Sequence, residues 1–453
     1  MFGVLARIIT ALALGNRVDP ISGAWDQVSY DLLAQRLLSG HGFSFPTVWY
    51  PFTQPDEQTA HWSFLYTLYL TGVYAVTGHY PVVARIIQAI LSGLQIWLAY
   101  RLGWRLFGEW VGVAAAALTA LYAYFIFFNA ALMTQTFYII CVLAAIDIAL
   151  GIRPRGTPVG RNSSQGGLPS VGIRNYLLLG LVLGLGALFR QTLLLFAPML
   201  FLWLLVAGRS QAAGLTSQVA GGRAPGLPGG FSAVARRLPD WWRDRLPVIK
   251  GIGIACVVIA ALLLPWTFRN YMVYHDFLLL NSNGGYWLYA SNHPHQGTNF
   301  DSVYSPPIPD NLKGLGEPAI DRALYQQGMG FILADPTRFV LLSINRTKDY
   351  FWVGASDESS TISNLARLLS FTLYLPFFLY GLWLSRKNWR LCLPLYLYAA
   401  FDTILCLTTW SAPRYRLPTD AVLMTMAGLA VVDVATRLRL KFIHQHIGAV
   451  AEK

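Results

Sequence analysis

Long, nearly uncharged apolar stretches recur along the chain, and they limit the folds that it can adopt. The clearest stretches are 111–128, 130–146, 251–264, 368–383 and 391–407. A helix needs roughly 20 apolar residues to cross a hydrocarbon layer about 30 Å thick, and shorter runs span when their flanking residues reach the headgroups. Only 12% of the residues are charged, against about 25% in soluble domains. The sequence therefore predicts an all-α polytopic membrane protein with about ten transmembrane helices.

The charge of the chain is basic, with 34 Lys and Arg against 22 Asp and Glu and a net charge of +12. No basic soluble domain is long enough to indicate a nucleic-acid partner. The basic residues instead collect in loops between apolar stretches, as the positive-inside rule requires of cytoplasmic loops. These loops are the region of Arg101 and Arg105, 151–174, 209–250, 386–390 and 437–441.

If all of these loops face the cytoplasm, an even number of spans must join each consecutive pair. As one helix, 176–207 would be about 48 Å long, so we predict two short spans with Arg190 near an outer turn. The same rule makes 62–76 an interfacial or re-entrant helix, which suits its many aromatic residues. Two long segments, 17–81 and 269–363, are then predicted to lie on the outer face.

This topology divides the chain into three parts. They are an N-terminal transmembrane module at 1–268 with its first outer loop at 17–81, an outer-face segment at 269–363 on the acceptor side, and a C-terminal transmembrane module at 364–453.

Smaller features are predicted within these parts. Several prolines make 299–318 a loop, and 319–333 has the pattern of an amphipathic helix. The inner stretches 151–172 and 208–230 are rich in Gly, Ser and Pro, which is typical of flexible linkers.

Polar residues at the outer ends of the predicted spans are the candidates for function. Asp26 and Tyr30 are spaced i, i+4 and share one helix face, although an acid in a first helical turn is also a common structural feature. Five arginines lie at outer ends of spans. One such arginine usually reaches for the headgroups, but several that converge would bind a phosphate through bidentate hydrogen bonds. The sequence thus indicates a lipid phosphate as substrate, and these arginines are Arg85, Arg190, Arg269, Arg414 and Arg416.

Short motifs follow one another in a recognisable order over nearly the whole chain. They are Asp26 with Tyr30, Gly-His-Gly-Phe at 40–43, His-Trp-Ser-Phe-Leu-Tyr at 61–66, Ala-Arg-Ile-Ile-Gln at 84–88, Pro-Trp-Thr-Phe-Arg-Asn at 265–270 and Arg-Tyr-Arg-Leu-Pro at 414–418. With these motifs the chain resembles membrane glycosyltransferases of the GT-C fold. Within that fold it is most similar to bacterial proteins related to the dolichyl-phosphate-mannose protein mannosyltransferases and the lipid A aminoarabinose transferase.

The resemblance implies a polyprenyl-phosphate sugar as donor and a lipid, glycan or protein as acceptor. It implies transfer at the outer face of the bacterial plasma membrane. Asp26 would be the catalytic carboxylate, either as general base or as ligand of a metal that activates the acceptor. The leaving phosphate needs positive charge, for which the resemblance offers Arg190, Arg269, Arg414 and Arg416. Supporting positions would be Tyr30, Asp56, Glu57, His61 and Arg85.

The sequence departs from this family at two positions. Gln27 follows Asp26 where many relatives carry a second acid, and Gln135 stands where many carry an acid after Met-Thr. The loss of both acids argues against a metal site built on two carboxylates. It leaves a metal-independent mechanism with a single base, or a weakly active member, and Asp56 and Glu57 are the acids that could compensate. A divalent metal ion stays open, and no other cofactor is expected.

Three other functions are compatible with the sequence. A transporter or flippase of a lipid-linked sugar predicts polar residues in mid-bilayer. The apolar stretches carry little buried charge, with Asp147 and Asp402 as the main exceptions, and this argues against a transporter. A polysaccharide ligase or polymerase would share the outer loops and arginines but would transfer a whole glycan. A non-catalytic scaffold subunit is the third alternative, and Gln27 and Gln135 add to its weight. The absence of a Walker A motif argues against ATP-driven transport by this chain.

Overall fold

The computed structural model describes residues 2–21, 25–152, 172–207, 232–301, 304–352 and 361–451. Most of the predicted inner linkers, at 153–171 and 208–231, lies outside these residues. The described backbone is built from helices, with only isolated bridges between short extended pieces at 44–58.

The longer helices are numbered here in chain order. They are α1 (Phe2–Leu14), α2 (Asp26–Leu38), α3 (Phe64–Thr77), α4 (Pro81–Phe107), α5 (Glu109–Leu121), α6 (Ala123–Phe128), α7 (Gln135–Ile152), α8 (Ile173–Phe189), α9 (Thr192–Ala207), α10 (Ser232–Tyr274), α11 (Gly284–Asn292), α12 (Glu317–Ala334), α13 (Pro336–Tyr350), α14 (Thr361–Arg367), α15 (Leu373–Ser385), α16 (Trp389–Thr408) and α17 (Leu417–Ala451).

The apolar helices form a multi-pass membrane bundle. Five helical stretches are long and apolar enough to cross a bilayer, at 81–107, 135–152, 245–274, 364–408 and 413–439. Shorter apolar helices, among them α1, α5, α8 and α9, complete the bundle. The expectation of an all-α polytopic membrane protein is thereby confirmed.

The stretch 176–207 forms two helices, as the charge of the flanking loops predicts. Helix α8 ends at Phe189 and α9 begins at Thr192, and Arg190 between them is extended with φ −152° and ψ 113°. The turn therefore presents the Arg190 side chain at one end of the bundle.

Small residues let α8 and α10 approach each other closely. A Cβ atom added to Gly180 would lie 2.6 Å from the carbonyl oxygen of Ala255, and one added to Gly184 would lie 2.6 Å from Leu262. The glycines of this helix therefore serve helix packing, as small residues commonly do in membranes.

One end of the bundle, here called the Asp26 end, gathers the polar loops and short helices. Helix α3 is 14 residues long, about 21 Å, which is less than a hydrocarbon thickness. Before it, Ser63 donates to the Leu188 carbonyl at the end of α8. Beyond it, His79 pairs with Asp31 of α2 at 2.9 Å. An interfacial position for α3 stays a prediction.

The opposite end of the bundle holds basic residues. Arg101 and Arg105 near the end of α4 pair with Asp147 of α7 at 2.8 and 3.0 Å. The cluster at 386–390 follows α15, and Arg437 and Arg439 lie far along α17. Basic loops of this kind are typical of the cytoplasmic side, and the orientation of the bundle stays a prediction.

The segment after α10 folds over the Asp26 end with a small core of its own. Its buried residues come from α11, α12 and the proline-rich loop between them. The predicted helix at 319–333 is present as α12 and begins slightly earlier, at Glu317. The division of the chain at 268 and 363 stays a prediction, since α10 continues to Tyr274. The core residues are Tyr286, Tyr289, Ala290, Leu312, Ile320 and Leu324.

Candidate active site

Asp26 is the first residue of α2, and it forms an ion pair with a residue that is far away in the sequence. Its Oδ2 lies 2.6 Å from Nη1 of Arg414, which stands in the short 3-10 helix Pro413–Arg416 before α17. The side chains are 29% and 18% exposed, so solvent reaches both.

Arg190 lies close to this pair and makes a different set of contacts. Its guanidinium carbon is 5.3 Å from the ring centre of Tyr138 and 5.2 Å from that of Tyr415. Arg414 lies over the same Tyr415 ring at 4.8 Å. Within the described chain, the Arg190 guanidinium has these aromatic contacts and no hydrogen bond or ion pair. The Tyr415 ring therefore contacts two guanidinium groups near Asp26. Of these, the Arg190 group has N–H donors without a hydrogen-bond partner in the described chain.

Tyr30 and His61 complete the surroundings of Asp26. Tyr30 is buried against Trp62 and Tyr66, and its pKa is raised, first by burial and then by the charge of Asp26. Burial lowers the pKa of His61 to about 4, so its imidazole is neutral at pH 7. The Nδ1 atom of His61 is buried without a hydrogen-bond partner in the described structure.

The segment that carries His61 is held through its backbone. The Gln58 carbonyl accepts a hydrogen bond from Tyr274 at 2.8 Å, and the Thr59 carbonyl accepts from Arg269 at 3.2 Å. The His61 carbonyl accepts from Asn283 at 3.1 Å. The Ala60 carbonyl accepts a hydrogen bond from the backbone amide of Ser282, and the Trp62 carbonyl accepts one from the side chain of Asn281. Side chains and backbone of 269–283 therefore fix the position of this loop.

A buried carboxylate at the start of α12 adds to this hold. Oε1 of Glu317 accepts hydrogen bonds from the Ala60 amide at 2.8 Å, the Thr59 hydroxyl at 3.2 Å and the Ser282 hydroxyl. Burial raises the pKa of Glu317 to about 7, against the opposing effect of these donors and of Arg269. The carboxylate thus joins the loop before α3 to the segment after α10.

The remaining arginines that the sequence suggested for phosphate binding have protein partners. Arg269 donates to Gln58 and Thr59 and packs against Trp266 at 4.6 Å. Arg416 is 1% exposed and pairs with Asp420 at 3.1 Å. These contacts link parts of the fold, and a role of Arg269 and Arg416 in phosphate binding stays a prediction.

Arg85 is likewise buried, and it donates to the backbone carbonyls of Arg17 and Ala130. It links the segment between α1 and α2 to the turn before α7, and a supporting role at the site stays a prediction. Its Nη2 lies 3.4 Å from Oε1 of Gln27, so Gln27 has a protein partner of its own.

Asp56 and Glu57 lie on the loop between α2 and α3, and in the described structure neither forms an ion pair or hydrogen bond with Asp26. Asp56 has a positive φ of 60° and pairs with Arg36 of α2, and its side chain is 70% exposed. This placement gives no support to the idea that these acids replace the missing second carboxylate.

The residues around Asp26 do not fit a carboxylate-based metal site. In the described parts of the chain, no group of three or more His, Cys, Asp or Glu is placed to hold a metal ion. The carboxylate of Asp26 faces the guanidinium of Arg414, and the amide of Gln27 donates to the Asp19 carbonyl. We therefore derive no step of the reaction through a metal.

Sequence reasoning missed three members of the site. Tyr415 lies inside the Arg-Tyr-Arg-Leu-Pro motif, and Tyr138 and Glu317 carried no local signal beyond their residue type. Alternation of Arg and Tyr at 414–416 was the available hint, because a ring beside two cations commonly stacks with one of them. In the structure the Tyr415 ring contacts Arg190, which lies in the turn between α8 and α9, far away in the sequence.

Comparison with known proteins gives matches among solved structures. No protein-family model and no curated protein sequence matches the chain. An Archaeoglobus fulgidus oligosaccharyltransferase tethered with an acceptor peptide matches with a TM-score of 0.53 and 16% identity, over 97% of this chain and 50% of that one. The AglB oligosaccharyltransferase of the same organism, in complex with an inhibitory peptide and a dolichol-phosphate, gives 0.52 and 16% over 98% and 51%.

A third match is ArnT from Cupriavidus metallidurans bound to undecaprenyl phosphate, with a TM-score of 0.50 and 12% identity over 95% of this chain and 59% of that one. The chain thus spans about half the length of the first of these proteins. AglB and ArnT are membrane glycosyltransferases with the GT-C fold, and the arrangement of helices described above is the GT-C fold.

Proposed function

We propose that the protein is a glycosyltransferase that moves a sugar from a polyprenyl-phosphate-sugar donor to a lipid, glycan or protein acceptor. One observation carries the proposal. Asp26, a carboxylate open to solvent, stands beside two guanidinium groups that share the Tyr415 ring, at one end of a GT-C membrane bundle. A base next to an anion site is what the displacement of a phosphate by a hydroxyl requires.

Arg190 and Arg414 are the proposed ligands of the donor phosphate. Guanidinium groups bind phosphate oxygens through paired, charge-assisted hydrogen bonds. Arg190 has donors without hydrogen-bond partners in the described chain, and its ring contacts fix its plane between Tyr138 and Tyr415. An anion held there would lie beside the carboxylate of Asp26.

An apolar groove beside this site suits the donor's isoprenoid chain. It has a volume of about 410 Å³ and lies between α9 and α10, open to the side of the bundle. Leu194 and Leu279 line its rim toward the Asp26 end. Gln191, the residue after Arg190, accepts a hydrogen bond from the Asn281 amide just beyond that rim. A lipid tail in the groove would bring its phosphate close to Arg190.

The reaction that follows is a single displacement. The acceptor hydroxyl oxygen attacks the anomeric carbon of the donor sugar and forms the new C–O bond. The bond between that carbon and the phosphate oxygen breaks, and polyprenyl phosphate leaves with the electron pair. Asp26 takes the hydroxyl proton and later returns it to water. Because attack and departure occur on opposite faces of the carbon, we expect inversion at the anomeric centre.

We infer that the site faces the outer side of a bacterial plasma membrane. The basic residues at the end opposite Asp26 support this orientation, since basic loops stay in the cytoplasm. The segment 269–363 is the proposed acceptor side, because its residues Asn283 and Glu317 contact the loop that carries His61. The solved complexes with dolichol-phosphate, undecaprenyl phosphate and an acceptor peptide support the proposed classes of substrate.

The placement of buried acids favours transfer over transport. Asp147 pairs with Arg101 and Arg105, and Asp402 accepts a hydrogen bond from Thr419 at 2.7 Å. These acids have protein partners, whereas a transport path predicts polar groups available to a substrate in mid-bilayer.

The test is transfer of radiolabelled sugar from synthetic polyprenyl-phosphate sugars to lipid, glycan and peptide acceptors, by protein in lipid nanodiscs. We expect Asp26→Asn to lower the rate by about 10²–10⁴-fold through loss of the base. Asp310→Asn is the matched control, because it breaks an exposed acid–base pair with Lys313 and leaves the rate unchanged.

Equal rates for wild type and Asp26→Asn would remove Asp26 as the base. Movement of the lipid-linked sugar across vesicles without any transfer would favour a flippase, and transfer of whole glycans only would favour a ligase or polymerase.

A further inference from the structure

Both terminal nitrogens of the Arg414 guanidinium donate hydrogen bonds to protein groups. Nη1 lies 2.6 Å from Oδ2 of Asp26, and Nη2 donates to the Tyr415 hydroxyl at 2.9 Å. A carboxylate and a phosphate present the same kind of paired oxygens to a guanidinium. Asp26 therefore sits where an oxygen of a bound phosphate would meet Arg414.

Arg190 differs from Arg414 in this respect. It contacts the rings of Tyr138 and Tyr415 but pairs with no acid in the described chain. The two arginines share Tyr415, so an anion that meets the free donors of Arg190 is also within the surroundings of Arg414. An entering phosphate would then compete with Asp26 for one of the two cations.

We propose that Arg414 exchanges partners during the reaction: it holds Asp26 in the donor-free protein and releases it when a donor phosphate binds. The proposal rests on the proposed function. Arg414 is then a positioning residue for the base as well as a ligand of the phosphate. Asp26 is withheld from hydroxyl groups until a donor is present, which makes donor binding precede activation of the acceptor.

The exchange also gives a reason for release of the product. Once Asp26 has given up its proton, its carboxylate competes again for Arg414. The ion pair seen in the structure is then the state to which the protein returns after each cycle.

A double-mutant cycle tests the exchange, with farnesyl phosphate as the probe and titration calorimetry of the full chain in detergent as the measurement. Asp26→Asn removes the competitor, and we expect it to bind the probe about tenfold more tightly, since charge-assisted hydrogen bonds of about 1.4 kcal/mol or more are at stake. In an Arg414→Gln background the same Asp26→Asn change should give no gain. In an Arg190→Gln background the gain should persist, because Arg190 does not pair with Asp26.

Each outcome decides something. An equal gain in the wild-type and Arg414→Gln backgrounds would mean that Asp26 only repels the anion, and it would overturn the exchange. No gain in the wild-type background would do the same. Failure of every variant and of the wild type to bind farnesyl phosphate would instead refute the proposed function itself. Arg414→Lys, which keeps the charge but loses the paired donors, should show a smaller gain, and melting temperatures of all variants guard against loss of the fold.

Discussion

Glu317 gives the sharpest prediction for stability, because it is buried and joins two separate segments. Its carboxylate accepts from the Ala60 amide and from the hydroxyls of Thr59 and Ser282. Replacement of Glu317 by Gln keeps an oxygen that can accept from Ala60 but removes the titratable group. The variant therefore isolates the effect of the charge on the stability of the folded protein.

The magnitude follows from the pKa. Burial raises the pKa of Glu317 from an ordinary 4.5 to about 7. Because the folded-state value is the higher one, the folded protein holds this proton more tightly than the unfolded chain. The stabilisation is complete below about pH 4.5 and is lost as the pH rises through about 7. The difference is worth about 3 kcal/mol at 1.36 kcal/mol per pH unit.

The assay is thermal unfolding in detergent at several values of pH between 5 and 8. With an unfolding entropy of about 2.1 cal/mol/K per residue, 3 kcal/mol corresponds to about 3 °C for a chain of 453 residues. We expect the melting temperature of Glu317→Gln to fall by about 3 °C less than that of the wild type over this range. Asp310→Asn, an exposed acid of the same segment, should fall as the wild type does.

Two results would refute this reasoning. If Glu317→Gln and wild type lose the same number of degrees between pH 5 and pH 8, the carboxylate does not titrate in this range. If Asp310→Asn flattens the profile as strongly, the effect is a general one of charge in the segment. Asp321 titrates nearby, with a pKa raised by burial to about 6, so Asp321→Asn measures its share separately.

Three further changes have distinct expected outcomes. Arg190→Gln should weaken binding of a lipid phosphate about tenfold or more, with partial rescue by Arg190→Lys, and calorimetry measures both. Gly180→Leu should lower stability by about 1–3 kcal/mol, because its side chain would collide with Ala255; unchanged thermal unfolding would contradict the packing of α8 on α10. Asp420→Asn leaves Arg416 buried and unpaired, so we expect a loss of about 3–5 kcal/mol, checked by unfolding and by unchanged affinity for lipid phosphate.

Much of the fold follows from the sequence because membrane helices obey simple rules of length and charge. The break between α8 and α9 at Arg190 is an example: parity of the basic loops required it, and the structure contains it. The amphipathic helix α12 was likewise predicted, within two residues at its start.

The site was only partly predictable, because arginine at the end of a span looks the same in sequence whatever it contacts. Arg190 and Arg414 lie beside Asp26, whereas Arg416 two residues later turns inward to Asp420. The i, i+4 spacing of Arg416 and Asp420 was a local sign of this pair, whereas the contact of Tyr415 with Arg190 depends on packing between distant segments. Glu317 was one acid among several in its segment until the structure placed it against Ala60.

The backbone hold on the His61 loop has a practical consequence for chemical labelling. Since the His61 carbonyl, and not its ring, accepts the hydrogen bonds of Asn281 and Asn283, the loop keeps its course when the side chain is exchanged. A non-natural imidazole or a small infrared reporter at position 61 would then occupy the place of the native ring. Such a reporter, buried next to Asp26, would register the arrival of an anion at the site as a change in its local electric field.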